Sequence, residues 1–190
     1  MGAQPALPWI AEATAHVGLA EVKGIKHHPT IVKWLKELGA AWNDDEQPWC
    51  GTFVAHCLQT AGLKRGTVDS RAKTWDKKAR SPAGFYPKNW YGALDYSREG
   101  GTLLTKPAYG CVAVKTRKGG GHVTFIVGRD KASGKLVGLG GNQSDKVCYA
   151  LYDQSEFSGF YWYGTQATPA AIRYDLPILT GVKATKVSEA

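Results

Sequence analysis

The chain has 190 residues, enough for one well-buried core and too few for two ordinary domains. Hydrophobic residues make up 43% and charged ones 21%, the balance of an ordinary globular protein, and no apolar run approaches the length of a membrane span. A formal charge of +8 implies attraction to polyanions: nucleic acid, for which no Lys/Arg run or basic-aromatic motif speaks, or an anionic cell envelope.

Residues 1–8 lack the basic n-region and apolar h-region of a secretory signal, so export by that route is not expected. Pro8 to Val17 reads as an amphipathic helix with Trp9, Ile10, Ala13 and Val17 on one side, followed by a Gly18-to-Glu21 turn. Thr30 can cap a second helix, with Ile31, Trp34, Leu35 and Leu38 inward and Gly39 ending it. The adjacent His27 and His28 lack the further spaced ligands of a metal site. Asp44, Asp45 and Glu46 lack the alternation of a calcium loop and read instead as a helix cap and first-turn acids.

The stretch from Gln47 to Leu58 predicts a third helix, with Pro48 in its first turn and Gly62 as its stop. Cys50 heads the apolar stripe of Phe53, Val54 and Cys57, so its thiol points inward near the positive end of the helix dipole. That end favours the thiolate, the nucleophilic form. Asp69-Ser70 can cap a fourth helix through Ala72, Trp75 and Ala79. Residues 81–109 are rich in Gly, Pro and aromatics and show little periodicity. Such a stretch either lines a groove or is pinned to the core by its rings.

The second half turns to strands: Cys111–Val114, His122–Val127, Lys135–Leu139, Val147–Tyr152 and Phe160–Tyr163, separated by turn residues. Helices followed by an antiparallel meander read as α+β, in one domain with its core at about 8–163 and a loosely packed tail over 164–190. The four cysteines have no scaffold or zinc-ribbon spacing, so free thiols are expected, with Cys57, Cys111 and Cys148 in the core.

Of the five histidines, His122 alone enters a strand from a glycine run, where it can serve as base to Cys50. His56 lies six residues along the Cys50 helix and is turned away from the thiol. A hairpin centred on Ala132 places Asn142 across from His122, where its amide oxygen can accept the imidazole N–H. Gln143 points to the opposite face if the strand continues through it. This reading expects a Cys50–His122 separation of about 3–4 Å and an Asn142 contact at roughly 2.7–3.2 Å.

Taken together, Trp9 with the Gly18-to-Glu21 turn, the Gln47-Pro48-Trp49-Cys50 helix with Phe53-Val54, Ser70-to-Trp75, Gly121-His122-Val123 and Leu139-Gly140-Gly141-Asn142-Gln143 resemble phage and bacterial cell-wall hydrolases. These are the papain-like NlpC/CHAP group, in particular its compact endolysin-type branch. The resemblance implies a papain-like fold with N-terminal helices on a central antiparallel sheet. It assigns Cys50 as nucleophile, His122 as base and Asn142 as the third polar group. Such proteins usually carry a glutamate two residues before the asparagine, where this chain has Gly140, so the orienting group stays open between Asn142 and Gln143.

The expected function is cleavage of an amide bond in peptidoglycan by a monomeric, cysteine-dependent endopeptidase or N-acetylmuramoyl-L-alanine amidase. A backbone N–H at the helix start, with Gln47 as a further donor, would hold the oxyanion. No metal or cofactor, nucleic-acid partner or stable membrane insertion is expected. The chain would wait in the host cytoplasm for release to the wall. Two alternatives are a cysteine protease or transamidase acting on proteins, and a catalytically silent wall-binding or virion structural protein.

Overall fold

The computed structural model describes residues 4–67 and 83–184. The helix expected over 72–79 lies outside them. Helices come first and strands after, so the α+β class is as read. Three helices lead: α1 (Pro8–Ala15), α2 (Pro29–Glu37) and α3 (Cys50–Thr60). After β1 (Lys64–Arg65), the Gly- and aromatic-rich segment contributes β2 (Phe85–Tyr86), α4 (Asp95–Arg98) and β3 (Thr102–Leu104). The meander is β4 (Val112–Arg117), β5 (Gly120–Asp130), β6 (Leu136–Gly140), β7 (Cys148–Tyr152) and β8 (Gly159–Trp162), with β9 (Ile178–Leu179) near the end.

The main sheet runs β3-β8-β4-β5-β6-β7 with antiparallel neighbours, and β9 adds a short parallel pairing to β5. The His122 strand is therefore central, and it is buried along most of its length. Val123, Phe125 and Ile126 are all fully buried, as a strand covered on both faces requires. In the β5–β6 hairpin, Phe125 pairs with Leu139 and Ile126 with Gly138, the register centred on Ala132. A bulge between Ile126 and Gly128 then shifts the outer pairs by one.

α3 packs against β5 and β6 on one side and against α1 and α2 on the other. Its residues Cys50 to Leu58 are all buried, so it is a core helix rather than an amphipathic surface one. Gly62, at φ 87°, lets the Leu63 N–H turn back to the Leu58 carbonyl and ends the helix as expected.

Four local expectations are corrected. α1 ends at Ala15, because the chain turns there to pair Gly18 with Val147, and this leaves Val17 exposed. α2 starts at Pro29 with His28 as its cap. The missing N–H of proline costs nothing at the first helical position, and His28 Nδ1 accepts the Thr30 N–H at 3.2 Å. The acidic run does not cap α3. Asp45 is fully buried and accepts the N–H groups of His28 (2.7 Å) and Val22 (3.1 Å) and Nδ1 of His27 (2.8 Å), which ties the loop before α2 to the loop before α3. The described part of the tail, residues 164–184, is not loose: Arg173 and Leu176 are buried, the Tyr109 N–H donates to the Arg173 carbonyl at 2.7 Å, and β9 joins the sheet.

Candidate active site

Cys50 is the first residue of α3, and no side chain caps the helix ahead of it. The Phe53 N–H is bonded to the Trp49 carbonyl, whereas the N–H groups before it have no helical acceptor and lie around the thiol. The side chain is 3% exposed and hydrogen-bonded to His122. Burial alone would push the thiol up. The His122 hydrogen bond and charge, together with the N–H groups of Val123 and Gly51, outweigh it and hold Cys50 below the ordinary thiol value. Burial without a histidine partner pushes Cys57 far up and Cys111 up to about 12. All four cysteines are free and buried, and Cys50 is the one placed at a helix start beside a base.

The His122 ring, 2% exposed, lies between Cys50 and a polar group on its other side. That group is Gln143. Its Oε1 stands 3.3 Å from His122 Nε2 and accepts the Tyr152 hydroxyl at 2.9 Å. Its Nε2 donates to the Cys148 carbonyl at 2.6 Å. A carbonyl only accepts, so the amide nitrogen must face Cys148 and the amide oxygen must face the imidazole. His122 Nε2 therefore carries the hydrogen, and Nδ1 is left as the lone-pair nitrogen for the Cys50 proton. One buried glutamine thus sets the tautomer of the candidate base.

Asn142 does not make the expected contact. β6 stops at Gly140, and Asn142, Ser144 and Asp145 take φ of 55°, 54° and 60°, so the chain leaves the strand before the pairing reaches His122. Asn142 is buried in this turn, and its Oδ1 has no hydrogen-bond partner among the described residues. The turn swings Gln143 back over the sheet, where a Cβ on Gly140 would lie 2.8 Å from its Oε1. The Gln143 amide fills the space of a side chain at position 140. Gly138 likewise leaves room for Thr124 and the Tyr152 ring, which lies nearly parallel to His122 at 6.3 Å.

Sequence reasoning missed Tyr152. Two glycines at alternate positions of β6 were the available signal, since a strand that omits side chains along one face makes way for larger ones beside it.

The Gly- and aromatic-rich segment borders both Cys50 and His122. Gly51, next to Cys50, has the Trp90 and Tyr91 carbonyl oxygens where a Cβ would stand, at 2.5 and 2.9 Å, and its own carbonyl accepts the Tyr96 hydroxyl at 2.8 Å. Gly121, next to His122, has Leu94 at 2.5 Å in the same sense. Tyr86, Trp90 and Tyr96 are buried and pin the segment, while Tyr91 is half-buried and faces a cleft. Both uses foreseen for the aromatics are realised, by different rings.

That cleft, of about 450 Å³, is lined by Trp42, Asp44, Gln47, Pro48 and Tyr91, two residues up the chain from Cys50 at its nearest. Trp42 stacks on Trp90 at 5.9 Å and meets Tyr91 edge-on at 5.2 Å. Gln47 is exposed on the cleft wall and makes no hydrogen bond among the described residues, so its side chain is not held as an oxyanion donor. A larger cavity of about 710 Å³ lies between α1, β5, β7 and the tail, and neither Cys50, His122 nor Gln143 lines it.

A buried thiol, an imidazole of defined tautomer and N–H groups at a helix start are the kinds of group that nucleophilic acyl transfer needs. No protein-family model, curated protein or solved structure matches the chain. Among the described residues, no helix is long and apolar enough to cross a membrane.

Proposed function

We propose that the protein is a cysteine-dependent amidohydrolase that cuts an amide bond in peptidoglycan, as an endopeptidase or an N-acetylmuramoyl-L-alanine amidase. The observation that carries the chemistry is the Cys50–His122 hydrogen bond at the start of α3, backed by Gln143. Peptidoglycan as substrate rests on the resemblance to papain-like NlpC/CHAP wall hydrolases and on the charge of +8, which suits an anionic wall. The Gln143 amide takes up the space at position 140 where those proteins carry a glutamate, and its Oε1 faces His122 Nε2.

In this mechanism the Cys50 thiolate attacks the amide carbonyl carbon, and the oxygen takes the negative charge toward the N–H groups at the start of α3. The C–N bond then breaks. The imidazolium of His122 gives its Nδ1 proton to the departing amine, leaving a thioester on Cys50. His122, neutral again, takes a proton from water as the water attacks the thioester; the C–S bond then breaks, the carboxylic acid product leaves, and the Cys50 thiolate and His122 imidazolium are restored. Gln143 keeps Nε2–H in place through both half-reactions.

The test is digestion of purified sacculi, with mass spectrometry of the released fragments and labelling of new amino ends. New amino ends without new reducing ends are expected, and Cys50→Ala should abolish them. Fragments that persist in Cys50→Ala, or no fragments from any peptidoglycan chemotype, would count against the reading.

A further inference from the structure

A second group of side chains converges between α1 and α3. Glu12 lies on α1, His16 is the residue that ends it, and His56 lies in α3. Glu12 Oε1 stands 3.0 Å from His16 Nε2 and 2.9 Å from His56 Nε2, and the three donor atoms lie within 4.8 Å of one another. Trp34 braces both rings, parallel to His56 at 4.7 Å and edge-on to His16 at 4.8 Å. Those two contacts with Glu12 are the only hydrogen bonds that the three side chains make among the described residues.

We propose that Glu12, His16 and His56 form a binding site for a divalent metal ion of the zinc class, which ties α1 to the helix carrying Cys50. Two imidazoles and one carboxylate are a zinc donor set, and tetrahedral coordination at about 2.0–2.1 Å sets donor atoms roughly 3.3 Å apart. The two spacings from Glu12, 2.9 and 3.0 Å, require the carboxylate and the rings to part by a few tenths of an ångström, and the two ring nitrogens, within 4.8 Å of each other, to come to the same separation. The ion replaces the two hydrogens on Nε2, which move to Nδ1, so both rings bind as neutral imidazoles. The Glu12 and His16 side chains are 26% and 23% exposed, so water can reach the remaining coordination position.

A second trio, His27, Asp44 and Asp45, is spaced comparably but already committed. Both Asp45 oxygens and the Asp44 Oδ1 accept backbone or imidazole hydrogens that hold the loops together. The Glu12 trio has no such backbone commitments. Nor does its motif show in the sequence: Glu12 and His16 are four apart on a short helix, and His56 arrives from an element forty residues on.

The full chain carrying Cys50→Ser is the protein to test, because it removes a thiolate that would itself bind zinc. Calorimetric titration with Zn²⁺ should show one saturable equivalent. Adding His16→Ala should weaken binding by more than about 100-fold, beyond what loss of an outer-shell contact produces. Co²⁺ in the unaltered trio should give tetrahedral d–d bands without a thiolate charge-transfer band, a reading that needs no second substitution to fold. Absence of a saturable equivalent, undiminished binding in His16→Ala, or a thiolate band would overturn the proposal. None of these readouts depends on hydrolase activity.

Discussion

The Tyr152 hydroxyl donates to the same Gln143 oxygen, at 2.9 Å, that faces His122 Nε2 at 3.3 Å. Tyr152 thus lies two hydrogen bonds from the ring, and it steadies the group that orients it. Tyr152→Phe keeps the ring packing and removes one hydrogen bond of about 1 kcal/mol. On the proposed substrate, kcat should fall by roughly three- to tenfold with KM nearly unchanged. Gln143→Leu removes the acceptor itself, and misplacement of the imidazole should cost about 10²-fold in kcat. Asn142→Ala, in contrast, should leave the kcat pH profile where it is. A larger loss from Asn142→Ala than from Gln143→Leu would reverse the assignment.

His122 is what holds the Cys50 thiol below its ordinary value against the upward push of burial. Iodoacetamide alkylation followed across pH, with peptide mapping, should modify Cys50 with a midpoint below that of a free thiol. In His122→Ala the burial remains and the partner is gone, so the midpoint should move above the free-thiol value. Cys57 and Cys111 should stay unmodified in the folded protein. Equal labelling of Cys50 and Cys57 at neutral pH would contradict this.

Asp45 is fully buried, and its carboxyl is held below the ordinary aspartate value: burial opposes this, and the N–H groups of His28 and Val22 and the His27 ring outweigh it. A carboxyl whose folded value lies below its unfolded one stabilises the protein above the unfolded value, and that contribution is lost as pH falls through the folded value. Asp45→Asn should therefore destabilise the protein at neutral pH by about 2–3 kcal/mol in urea unfolding. The gap from wild type should close as pH drops below the ordinary aspartate range. A gap that persists unchanged into acid would show that the loss is one of packing.

Trp42 and Tyr91 form the aromatic wall of the cleft whose lining includes Pro48, two residues before Cys50. Trp42→Ala removes a half-buried ring that stacks on Trp90 and meets Tyr91 edge-on, so it should raise KM several-fold with kcat largely kept. Gly51→Ala acts differently. Its Cβ would meet the Trp90 carbonyl oxygen at 2.5 Å, so the segment must shift, at a cost of about 1–3 kcal/mol, and the product pattern should change with it. Steady-state kinetics on one defined muropeptide, with product mapping on whole sacculi, separates the two effects.

Much of this architecture is written locally. The apolar stripe behind Cys50, its Gly62 stop, the run of strands and the hairpin centred on Ala132 all follow from neighbours within a few residues, where helix and strand periods act. Those signals suffice to put a thiol at a helix start and a histidine in a central strand. They do not determine the third member. The register argument holds through Leu139, but the positive φ of Asn142, Ser144 and Asp145 depends on how the Gly18-to-Glu21 segment pairs with residues 145–147. That pairing is long-range, and it decides that Gln143 rather than Asn142 turns to His122. The same holds for Asp45, whose acceptors look like a helix cap in the sequence and become a tie between loops only when Val22 and His28 arrive beside it. It holds too for Glu12, His16 and His56, which meet only because α1 lies along α3. Local periodicity determines where a side chain points along its own element; which buried donor it meets is determined by the packing that brings distant elements within hydrogen-bond reach.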